Sequence, residues 1–298
     1  MSHTFTHALF FSHALKTLTF FSLLMALCSL WIKKSTWLWG SFFAIALLLA
    51  MQTHVAEPVA LLPIGIVMGA FWILKHPIGG MLRLLVFSVA VLFSGALFLH
   101  FLPGFSNWNM ANSVVLSPGA VPYNFWINFD KPLPALFILA WTLPLIQNKE
   151  GWKKMLQVAL PLSVLGMILL LFLSYFFGLI AFDPKMPTLF FVWCTVNLFF
   201  VTIPEEAFLR GFIQKELFKW FGEGMRGHVG SVCVASLIFS LFHLYWVADY
   251  HFLLIVFAAG VIYGTLFQWT KSIEASILCH FLVNVIHMLL FTYPALAS

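Results

Sequence analysis

The feature that most constrains this chain is a series of apolar runs, most of them close to twenty residues long, that follow one another from residue 10 to residue 292. A bilayer's hydrocarbon core is about 30 Å thick and takes about 20 apolar residues of helix to cross. Ten segments fit or approach that length, near 10–32, 36–52, 58–74, 82–102, 134–147, 155–182, 188–214, 229–247, 252–269 and 273–292, the fifth being short. Lipid offers the backbone no hydrogen-bond partner, so spans of this kind fold as helices. The expected fold class is all-α: a polytopic transmembrane helix bundle with about 8 to 10 spanning segments.

With 62% hydrophobic and 8% charged residues and a mean hydropathy of +1.00, no soluble core could accommodate the apolar content. A net charge of +5 would suit a nucleic-acid partner if the cations clustered. They fall singly or in pairs between apolar runs, which is a topology signal and argues for no nucleic acid. When the ten segments alternate, Lys33, Lys34, Lys75, Arg83, Lys149, Lys153, Lys154, Lys215, Lys219, Arg226 and Lys271 share one side. Lys16, Lys131 and Lys185 lie toward the other, and Arg210 is left inside a helix. The expectation is an integral multi-pass protein of a bacterial cytoplasmic membrane, with the basic loops in the cytoplasm and both termini outside.

The first run lacks a small-residue exit and reads as a retained anchor rather than a cleaved signal. Cys28, Cys194, Cys233 and Cys279 lie in apolar segments without metal or disulfide spacing and read as inert thiols. The longest connection, about Pro103 to Pro134, carries Pro, Gly and Asn and is expected to be irregular, its Trp, Tyr and Phe settling at the headgroup level. A lid over a buried site is the sharper reading of the same loop.

Ionisable groups at membrane depth are costly and mark functional sites. Three helical motifs carry them. In Glu205-Glu206-x-x-x-Arg210, adjacent carboxylates diverge by about 100° on an α-helix, so they are not expected to face one spot, whereas Glu206 and Arg210 can pair at i, i+4. Pro204 removes a backbone donor just before them and loosens the helix. Phe239-x-x-x-His243 lies late in the eighth segment, and His280-x-x-x-Asn284 puts an imidazole and a carboxamide on one face of the last. Counting about 1.5 Å per residue from Lys215, Lys271 and Arg226 lets these groups share one level, His243 coming out somewhat deeper unless part of its stretch is loop. Ser276 and His280 could form a serine dyad by spacing, but that leaves the glutamates unexplained. His3, His7, His13, His54, His76, His100, His228 and His251 lie near segment ends and read as interfacial, and His287 reads as a packing residue.

In type, order and spacing the three motifs resemble those of the CPBP family, the CAAX prenyl endopeptidase type II and bacteriocin-processing or abortive-infection proteins, over about Leu189 to Leu290. The resemblance divides the chain into an N-terminal transmembrane region of unassigned role (1–185) and a catalytic core (186–298). It implies an intramembrane endopeptidase acting on a membrane-associated peptide or protein. Glu205 would activate water, Glu206 would be its partner held by Arg210, His243 would position the water, and His280 with Asn284 would stabilise the oxyanion. Were a divalent metal such as zinc present, Glu206, His243 and His280 would be its ligands; the favoured reading needs no cofactor. The alternative function is a non-catalytic immunity or regulatory protein that binds a peptide with the same fold.

Overall fold

A computed structural model describes residues 13–244 and 249–297. His3 and His7, and the ends of the first and eighth expected segments, lie outside the described residues. All ten expected segments are helices. Seven are long and apolar enough to cross a membrane: α1 Ala14–Ile32, α4 Gly80–Phe98, α6 Lys149–Phe176, α7 Phe190–Phe221, α8 Met225–Phe242, α9 Tyr250–Thr270 and α10 Ile273–Leu290. Three are shorter, α2 Thr36–Gln52, α3 Pro58–Leu74 and α5 Pro132–Trp141. Large apolar side chains such as Trp37, Leu62, Leu165, Phe172 and Phe191 are exposed, the reverse of a soluble surface.

The chain divides into two compact units, and α7 passes from the first to the second between Pro204 and Glu205. In the first, α1 packs on α2 and α3 on α4. Its centre is α5, whose residues from Pro132 to Ala140 are all buried. Ten residues of helix rise about 15 Å, half a bilayer core, so α5 is an internal element rather than a span. Trp39, Phe43, Phe137 and Trp141 form an aromatic cluster at its side, with ring centroids 5.5–6.4 Å apart. Asp130, nearly inaccessible, fixes the chain entering α5: Oδ2 accepts from His100 Nδ1 at 2.7 Å and Oδ1 from Asn107 Nδ2 at 3.1 Å.

The connection expected to be irregular carries a two-stranded sheet, β1 Trp108–Val114 with β2 Tyr123–Ile127. The signal was present as alternation: Trp108 and Met110, then Phe125 and Ile127, are buried while their neighbours are not. Asn107, Asn109, Asn112, Asn124 and Asn128 masked it by their preference for turns.

In the second unit α6 packs against α9 and α10, α8 against α9, and the second half of α7 against α8, α9 and α10. Close approach depends on two glycines of α9 four residues apart. A Cβ at Gly260 would lie 2.8 Å from Ser236 Cβ and 3.0 Å from Ser236 Cα of α8, and one at Gly264 would lie 2.7 Å from Gln214 Oε1. Small residues at this spacing are what let membrane helices bring their backbones together. After α10 the chain returns along the unit, where Thr292 N donates to the Ala181 carbonyl and Leu296 N to that of Leu179.

The Gly260→Ala substitution is therefore expected to lower stability by about 1–3 kcal/mol, the usual cost of overpacking against backbone. Gly65→Ala, where a Cβ would meet nothing within 4 Å, is expected to leave it unchanged or slightly raised. Thermal unfolding of the detergent-solubilised full chain checks both, and equal effects at the two positions would contradict the packing described.

Candidate active site

The site is built on an unusual stretch of α7. Asn197–Thr202 and Ala207–Gln214 are π-helical, wound i to i+5, with one α turn, Ile203–Glu206, between them. Pro204 has no N–H to offer, which favours a local change of winding, and π turns within membrane helices mark functional positions. The loosening expected from Pro204 extends over more than two turns.

Glu206 and Arg210 are fully buried and paired, Arg210 Nη1 donating to Glu206 Oε1 at 3.1 Å. Arg210 Nη2 donates to the Gly260 carbonyl at 3.2 Å, so the α9 backbone carries part of the cation's hydrogen bonding. The guanidinium also lies 4.7 Å from the Phe239 ring centroid and 5.5 Å from that of Tyr263. Two aromatic faces thus replace water around the charge. Removing either partner from such a pair leaves an uncompensated buried charge and costs about 3–5 kcal/mol.

His280 of α10 joins the same carboxylate, with Nδ1 2.8 Å from Glu206 Oε1. Its Nε2 is 3.8 Å from Glu205 Oε2, beyond direct hydrogen-bond length but within reach of the charge. The adjacent carboxylates do not face one spot, as expected, although both approach one residue. Each glutamate reaches outward on three rotatable bonds, and the imidazole presents a nitrogen on each of two edges, so they meet opposite sides of one ring. The similar depth expected for Glu206 and His280 is borne out by their contact.

His243 follows directly after α8 and is half-buried. Its Nδ1 lies 2.8 Å from the Phe239 carbonyl, an oxygen that can only accept. Nδ1 is therefore the donor, and the neutral ring carries its lone pair on Nε2. Phe239 ties the two histidines together, standing edge-on to His243 at 4.7 Å and to His280 at 5.7 Å. Asn284 lies one turn beyond His280 on α10 and is half-buried. All six residues singled out in the sequence lie in the second unit, and the structure links Glu205, Glu206, Arg210 and His280 by direct approach.

Two further residues went unrecognised in the sequence. Tyr263 stacks on His280 with ring centroids 4.7 Å apart and planes 16° from parallel. Gly260 supplies the carbonyl for Arg210. The signal for both was Gly260-x-x-Tyr263-Gly264, a small-residue notch enclosing a tyrosine in the middle of an apolar helix. The serine dyad is not formed, since Ser276 Oγ donates to the Tyr263 carbonyl at 3.2 Å. Cys279 is buried against α6, its thiol 4.0 Å from the Ser163 carbonyl. His287 packs at the end of α10, with Nε2 3.1 Å from the Thr292 carbonyl.

The candidate metal set, Glu206, His243 and His280, is not arranged as a ligand group. Glu206 Oε1 already serves Arg210 and His280 Nδ1, and His243 Nδ1 serves Phe239. Among the described residues no three His, Cys, Asp or Glu side chains gather in a way that would hold an ion. The residues as placed do not fit a metal.

Comparisons with known proteins bear on this region. Residues 187–286 match the family model described as Type II CAAX prenyl endopeptidase Rce1-like. Over 94 residues the chain is 34% identical to the membrane-embedded CAAX protease MroQ of Staphylococcus aureus strain USA300. That similarity covers 30% of this chain and 36% of the relative, so it spans little more than a third of the relative's length. No solved structure matches significantly. Helical class, motif residues and both comparisons converge on residues 187–286, the stretch over which this polytopic membrane protein is similar to type II CAAX prenyl endopeptidases.

Proposed function

We propose that the protein is an intramembrane endopeptidase that hydrolyses a peptide bond of a membrane-associated protein or peptide, with Glu205 as the base. The observation that carries this reading is the division of labour between adjacent carboxylates. Glu206 is committed to Arg210 and His280 Nδ1, while Glu205 faces the other edge of the same imidazole. A base held beside preorganised donors in a low-dielectric interior is the arrangement amide hydrolysis requires.

Glu205 would take a proton from water as the water oxygen attacks the substrate carbonyl carbon, and would return it to the departing amine nitrogen. His243, with Nε2 as acceptor, would orient that water. Asn284, and His280 in its doubly protonated form with Nδ1–H on Glu206 and Nε2–H toward the substrate, would donate to the carbonyl oxygen as it becomes negative. Arg210 and Glu206 hold the imidazole and are positioning residues. No metal enters this scheme. On this reading the basic loops would lie in the cytoplasm and the substrate would enter from the membrane or its cytoplasmic side.

Substituting Glu205→Gln or His243→Ala is expected to lower cleavage by about 10²–10⁴-fold, the usual weight of a positioned acid–base group, while expression and thermal unfolding stay unchanged. The assay compares membrane peptides by mass spectrometry in cells carrying each version. Cleavage that survives in both variants would overturn the catalytic assignment, and biological output without any cleavage would favour the peptide-binding role. Purified protein is also expected to keep its activity after exhaustive chelation, with less than one zinc per chain. Activity lost to chelator and restored by zinc would contradict the metal-free scheme.

A further inference from the structure

One helix of the second unit is longer than a membrane crossing requires. At 28 residues α6 rises about 42 Å, about 12 Å more than a hydrocarbon core of about 30 Å. The surplus lies at its start, since every charged residue of α6 falls between Lys149 and Lys154. One face, marked by Met155, Ala159, Ser163 and Gly166, is buried where the helix packs on α9 and α10. Away from that face Lys149, Trp152, Lys153, Leu156, Gln157 and Leu160 are exposed and line an open groove of about 580 Å³.

The cations of this groove are uncommitted. Lys149 and Lys153, one turn apart, have no hydrogen bond or ion pair among the described residues, whereas Lys154 on the neighbouring face meets Glu150 at 3.9 Å. Other basic side chains are engaged: Lys34 donates to the Leu143 carbonyl, Lys219 meets Glu216 at 2.7 Å and Lys271 lies over the Phe218 ring. Asn148 Oδ1 accepts from Gly151 N at 2.8 Å, so the helix start is already capped and the charge on offer is that of side chains. Depth then orders the chemistry. The two lysines come first with Trp152, an indole that settles at the headgroup level. Gln157 follows about 6 Å deeper than Lys153, and Leu156 and Leu160 continue toward the apolar core. Phosphate, glycerol ester and acyl chain follow one another in the same order in a phospholipid. A bilayer covers an apolar face at this depth, and unpaired cations at its rim select a negative headgroup.

We propose that this groove holds a phospholipid with an anionic headgroup, its phosphate between Lys149 and Lys153, an ester carbonyl accepting from Gln157 Nε2 and one acyl chain along Leu156 and Leu160. A zwitterionic lipid carries its own cation beside the phosphate and would set it against the two lysines. The bound lipid would steady the start of α6, and α6 is the helix against which α10, the carrier of His280 and Asn284, is packed. The site does not rest on the endopeptidase reading.

The test is native mass spectrometry of the detergent-solubilised full chain, titrated with phosphatidylglycerol and with phosphatidylcholine of the same acyl chains. Each lysine at an anionic surface is worth about fivefold in binding, so the wild type is expected to bind phosphatidylglycerol about 25-fold more tightly than the Lys149→Gln, Lys153→Gln double variant. Phosphatidylcholine is expected to bind both alike. A Lys33→Gln, Lys75→Gln variant, which loses the same charge at other exposed positions, is expected to match the wild type. A wild type that binds the two lipids equally would overturn the site, and this arm does not depend on how any variant folds. Equal losses in the two double variants would overturn it as well, by reducing the effect to net charge. Displacement of the lipid by excess glycerol phosphate would reveal a soluble-phosphate site, and dimers that require Lys149 and Lys153 would reveal a second copy in the groove; either result contradicts a lipid site.

Discussion

An ion pair with no access to water, Glu206 with Arg210, is the interaction on which the rest of the second unit depends. Neither charge could remain in this interior alone. Each of their neighbours contributes to holding them. The Gly260 carbonyl accepts from the guanidinium, Phe239 and Tyr263 present their rings to it, and His280 adds a second donor to the shared carboxylate oxygen. The site is therefore also the main polar element of a unit otherwise assembled by close packing.

That packing and the chemistry use the same residues. Gly260 and Gly264 bring the α9 backbone close enough for its carbonyls to reach Arg210 and Gln214, and side chains at either position would push α9 away. The π winding of Ala207–Gln214 keeps Arg210 and Gln214 on the face turned toward those carbonyls. Pro204, at the head of the intervening α turn, explains why the winding changes there rather than elsewhere in an apolar helix. Tyr263 then completes the clamp on His280 from the helix that carries the notch.

Most of this was legible in the sequence because membrane depth makes charge expensive. Two glutamates and an arginine amid leucine and phenylalanine declare themselves, and i, i+4 spacing is enough to pair Glu206 with Arg210 and to align His280 with Asn284. Convergence of both carboxylates on one imidazole was not legible, because helical periodicity fixes where a side chain starts and not where three rotatable bonds carry its end. Tyr263 and Gly260 were hidden for another reason: an aromatic and a glycine in an apolar helix are common, and only the partner helix reveals their role. The hairpin within the long connection was obscured by its asparagines, although the alternation of Trp108, Met110, Phe125 and Ile127 was there to be read.

Mutual dependence of Glu206 and Arg210 can be measured directly with a double-mutant cycle on the detergent-solubilised chain, using Glu206→Gln, Arg210→Met and the two combined. Each single change is expected to cost about 3–5 kcal/mol by stranding its partner. The double change is expected to recover most of that loss, giving a folded but inactive protein. Additive losses in the double variant, or single variants as stable as the wild type, would show that the buried pair is not what organises this site.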